Sequence, residues 1–86
     1  MQEMNLNDVQ AELFKRAEAA SLRGDGEGAF VFAENRGRAI EISRSQSQWW
    51  VEFWENSTDE DAPPIREEFF ASVVDAVEEI AAWLYL

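Results

Sequence analysis

Eighty-six residues with 7 Lys plus Arg, 18 Asp plus Glu and neither His nor Cys carry a net charge of −11. A chain this short supports one core, and its composition excludes disulfide, thiolate and imidazole chemistry together with the commonest zinc ligands. Hydrophobic residues at 47% and aromatics at 13% nonetheless place it among sequences that fold, so one domain over residues 1–86 is expected, with no cofactor and no metal.

The first helix is expected from about residue 8 to 23. Asn7 with Gln10 reads as its cap, Leu6, Val9, Leu13, Ala17 and Ala20 recur at helical spacing, and Gly24 reads as its stop. After Gly24-Asp25-Gly26-Glu27-Gly28 the pattern changes to a period of two. Residues 29–34 and 38–44 read as strands joined by Asn35-Arg36-Gly37, and 49–55, with four aromatics, reads as a third. Pro63-Pro64 ends an acidic loop, and residues 65–71 suit either a helical turn or a short fourth strand. Ser72 with Asp75 then caps a second helix over residues 73–85, whose buried stripe is Val73, Val77, Ile80 and Leu84. The fold class is therefore α+β: a helix, an antiparallel meander of three or four strands and a helix, with both helices on one face of the sheet.

Alternation along the strands assigns Phe30, Phe32, Ile40, Ile42, Trp49, Val51 and Phe53 to the covered face. Val31, Ala33, Ala39, Glu41, Ser43, Trp50, Glu52 and Trp54 then fall on the open one. Trp50, Trp54, Val31 and Glu52 are the candidate partner-binding residues, because exposed tryptophan is a common binding anchor. Mixed with glutamate, it suits a partner carrying Arg or Lys, through cation-π contact and ion pairing together. The competing structural reading is that the first helix, or the loop before Pro63, folds over one of the two rings.

The charge is uneven: residues 1–44 have a net of −2 and residues 45–86 a net of −9. The ordinary consequence is solubility; the sharper one is an acidic face formed by Glu55, Asp59, Glu60, Asp61, Glu67 and Glu68 beside Glu52. Neither nucleic acid nor a membrane is an expected partner. The helix-meander-helix order is similar to that of double-stranded RNA-binding domains, but those read RNA with basic residues, and here the second half holds only Arg66.

The motifs with a chemical look lack what their chemistries require. Gly24-x-Gly26-x-Gly28 follows a helix and precedes a strand, the reverse of a phosphate loop, and its intervening residues are acidic. The stretch from Asn56 has Glu67 at the twelfth position of an EF-hand loop but Asp61 where its sixth position requires glycine, and Pro63-Pro64 falls within it. No serine has an evident base. The sequence thus predicts a non-catalytic protein that binds another protein or itself as a homodimer. The alternative is an inhibitor that blocks a basic nucleic-acid-binding site by charge mimicry, resembling nuclease inhibitors, immunity proteins and anti-CRISPR proteins in size and charge but sharing no motif with them. The start of the chain lacks the basic and apolar regions of a secretory signal, and its longest apolar run, Ile80 to Leu86, is 7 residues, so a cytoplasmic location is expected. The terminal Trp83-Leu84-Tyr85-Leu86 is expected to dock in the core, with a second contribution to a dimer interface as its alternative.

Overall fold

The computed structural model describes residues 5–15, 19–55 and 62–85. In chain order these form α1 (Leu6–Phe14), β1 (Ala19–Arg23), a 3₁₀ turn (Gly26–Gly28), β2 (Phe30–Asn35), β3 (Arg38–Ser45), β4 (Gln48–Glu55), β5 (Arg66–Phe70) and α2 (Val73–Tyr85). The strands make one antiparallel sheet in the order β1-β2-β3-β4-β5. Val9 and Leu13 of α1 and Val73, Ala76, Val77, Ile80 and Leu84 of α2 share a single core with one side of that sheet. The α+β architecture is the expected one, with five strands instead of three or four.

The extra strand comes out of the first helix. Asn5, not Asn7, caps α1: the Asp8 backbone N–H donates to Asn5 Oδ1 at 2.9 Å and the Asn5 N–H to Asp8 Oδ2 at 3.1 Å. This reciprocal box also sets a carboxylate in the positive first turn. The helix stops at Phe14, and residues 19–23, expected as its last turns, pair with β2. Ala20 and Leu22 fit a period of two as well as a period of 3.6, and so short an apolar run takes whichever form its neighbour can satisfy. Here that neighbour is β2, whose backbone groups gain partners along this side. Gln10, expected in the cap, donates through Nε2 to the Ala20 carbonyl at 3.4 Å and ties α1 to β1. Gly24 turns the chain out of β1 at φ 74, where an added Cβ would meet the Gly28 carbonyl oxygen at 2.9 Å.

A one-residue difference in the next turn reverses β2. Taking Asn35-Arg36-Gly37 as the loop would set Glu34 opposite Arg38. The loop is instead Arg36 (φ 53) and Gly37 (φ 85), and Asn35 pairs with Arg38. Two positive φ values give the tight turn whose twist matches the strands it joins. Because side chains alternate, the shift turns every β2 residue over. Val31 and Ala33 lie fully buried opposite Ile42 and Ile40, while Phe30 and Phe32 move to the open face.

Residues 66–70, left open between helix and strand, form β5 and pair with β4 from Trp49↔Phe70 to Phe53↔Arg66. Arg66 projects to the helix side, bonds Glu68, and donates to Glu79 of α2 at 2.7 Å with its guanidinium 4.5 Å from the Phe53 ring. The Asp75 N–H reaches Ser72 Oγ at 3.5 Å at the start of α2, where the sequence places the cap. At the other end, buried Asn35 donates to the Leu84 carbonyl at 2.8 Å and Arg38 to the Trp83 carbonyl at 3.0 Å, which satisfies acceptors that a helix C-terminus leaves free. Leu84 is buried, so this part of the last turn docks in the core; Leu86 lies outside the described residues. Among the described residues no helix is long and apolar enough to cross a membrane.

Candidate functional site

Strand register fixes what the open face carries. Cross-strand partners share a face, so rows of side chains run across it. The first is Arg23, Phe30, Ser43, Trp50 and Phe69; the second is Ser21, Phe32, Glu41, Glu52 and Glu67; the third contains Glu34, Ala39 and Trp54. Neighbouring strands stand about 5 Å apart and alternate residues of one strand about 7 Å apart. Glu41, Glu52 and Glu67 thus form a carboxylate row over β3, β4 and β5, with Trp50 and Trp54 on either side of Glu52 along its own strand.

The row is electrostatically costly. Like charges directly opposite one another in a sheet destabilise it. Partial burial is the larger cause that lifts the Glu52 carboxyl above the usual glutamate value of 4.5, and the charges of Glu41 and Glu67 add to it. Glu41 is also raised by burial, but Arg23 pulls it back. The Arg23 guanidinium lies 4.4 Å from the centre of the Phe32 ring and donates through Nε to Ser21 Oγ at 3.1 Å. Among the described residues, no base pairs with Glu52 or Glu67.

The aromatic groups are held differently. Trp50 stacks on Phe69 across β4 and β5, centroids 6.1 Å apart at 10°, and its Nε1 is shut off from solvent with no acceptor. Trp54 donates from Nε1 to the Ala62 carbonyl at 3.0 Å, so the segment entering β5 anchors that ring, in part as the competing reading expected. Both indoles are half-buried, whereas Phe69 is 57% exposed.

Of the four candidate partner-binding residues, Trp50, Trp54 and Glu52 lie together on the open face. Val31 does not: it is part of the core, for the register reason given above. The sequence reading missed Phe30, Phe32 and Phe69, and a two-residue count for the Arg36-Gly37 turn would have found the first two. The acidic face divides. Glu67 joins Glu41 and Glu52, whereas Glu68 is bonded to Arg66 on the helix side and Glu55 lies 3.9 Å from Arg38. Asp59, Glu60 and Asp61 lie outside the described residues. Among the described residues no group of three or more acids is placed to hold a metal ion.

The arrangement offers aromatic surface and negative charge on a rigid sheet, which is the chemistry of binding a cation-bearing partner. Compared with models of known protein families, with curated proteins and with solved structures, the chain matches none.

Proposed function

We propose that this chain is a non-catalytic protein-binding domain, acting in the cytoplasm, that engages a basic protein partner through the open face of its sheet. The observation that carries the reading is the Glu41, Glu52 and Glu67 row, in register and flanked by Trp50, Trp54 and Phe69. A fold keeps a repulsive row at the centre of an aromatic face at a cost in stability, and such local conflicts concentrate at functional sites. A second copy of the chain is a poorer occupant, since a two-fold interface sets the same patch against itself and opposes one carboxylate row to another.

The inhibitor reading is supported by the same row, a line of three charges about 5 Å apart on a fixed scaffold. It is weakened by Glu55 and Glu68, which are engaged by arginines of this chain.

Partner capture from the source cell with the unaltered chain, with Glu52→Lys and with Glu78→Lys on the exposed side of α2 tests the proposal. A basic protein recovered by the unaltered chain and by Glu78→Lys but lost with Glu52→Lys is the expected result; equal recovery by all three contradicts it. Steep weakening of that complex with salt, together with displacement by nucleic acid, would select the inhibitor reading.

A further inference from the structure

We infer that the β4–β5 half of the open face is a binding site for an arginine side chain of a partner protein, selective for arginine over lysine; this rests on the reading of the face as a protein-binding surface. The chain itself supplies the template. Arg23 lies over Phe32 and acts on Glu41; Arg38 lies 4.5 Å over the Trp83 ring with Glu55 at 3.9 Å; Arg66 lies 4.5 Å over Phe53 with Glu79 at 2.7 Å. Each of these three joins an aromatic face to a carboxylate, and a fourth guanidinium, that of Arg44, lies 4.8 Å over the Trp49 ring.

On β4 and β5 the same two parts occur with no cation from among the described residues. Glu52 stands between Trp50 and Trp54, Glu67 is its cross-strand partner, and Phe69 is stacked on Trp50. Two adjacent carboxylates match the planar fork of a guanidinium, which can also lie flat on an indole or phenyl ring; an ammonium ion is a more strongly hydrated point charge that does neither as well. Burial raises the Glu52 carboxyl and the charges of Glu41 and Glu67 add to it; that added repulsion falls when a cation enters between the carboxylates. Arg23 already serves the Glu41 end, which leaves the Glu52 and Glu67 end for the partner.

The test uses the full chain and three acetylated, amidated octapeptides in which glycine alternates with arginine, lysine or citrulline, titrated by calorimetry at low salt. The arginine peptide is expected to bind about fivefold or more tighter than the lysine peptide, and the citrulline peptide not measurably. Glu52→Gln combined with Glu67→Gln should weaken arginine binding about tenfold or more, while Glu34→Gln, one row away, should leave it within about twofold. Trp50→Leu should erase the preference for arginine and Trp50→Phe should keep it, with thermal unfolding verifying that each variant is folded. Equal binding of arginine and lysine peptides, or arginine binding unchanged in the double variant, overturns the inference. Either result leaves the broader proposal standing if a basic partner is still lost with Glu52→Lys in the capture experiment; equal capture by all three chains would remove both.

Discussion

Neighbouring tryptophans on β4 hold unlike positions. Trp49 is 1% exposed and faces the helices, whereas Trp50 faces outward and stacks on Phe69 with a buried N–H that has no acceptor. An unpaired buried donor costs about 1–3 kcal/mol, so removing it offsets part of the packing lost with the indole. Trp50→Phe is therefore expected to change stability by less than about 1 kcal/mol, while Trp49→Phe, which opens a void in a closed core, costs about 2 kcal/mol or more. Urea unfolding of the two variants decides the matter: equal losses would mean that the Trp50 N–H is satisfied in solution.

For the strands, Glu52 and Glu41 contribute a pH dependence. The folded pKa of Glu52 is raised above 4.5, so the folded state takes up a proton more readily than the unfolded chain. Its contribution to stability is full below that value and is lost as pH rises through the folded pKa. Glu41 acts in the same direction, with Arg23 opposing it. Glu52→Gln should consequently be more stable than the unaltered chain near pH 7, by about 0.5–1 kcal/mol, and equal to it near pH 4. Unfolding curves at both pH values test this; a variant less stable at neutral pH would mean that Glu52 is engaged favourably in the free protein. The elements themselves were largely legible. Strands β3 and β4 and helix α2 follow from strong periodicity, a dense aromatic run and the Ser72 and Asp75 pair. What escaped was decided by single residues: a run as short as Ala20 to Leu22 carries two periods at once, and an arginine at positive φ gives no warning of a two-residue turn. That turn alone moved Val31 into the core and two phenylalanines onto the open face.

Across the whole molecule, the helices cover one side of the sheet, and the other side gathers aromatic rings around acids from β3, β4 and β5. The sequence showed a net of −9 in its second half, but it could not show which acids stay unpaired, because that depends on which side of the sheet each one reaches. Glu68 and Glu55 are answered by Arg66 and Arg38 on the helix side; among the described residues, Glu52 and Glu67 have no such partner on the open side. We propose this open side as the place where a basic partner binds. Amide chemical-shift mapping of the labelled chain during titration with the arginine-glycine octapeptide tests it directly. Perturbations concentrated at Glu41, Trp50, Glu52, Glu67 and Phe69, and absent from the exposed Val74 and Glu78 of α2, are the predicted result; perturbations centred on α2, or spread evenly over both faces, would contradict the account.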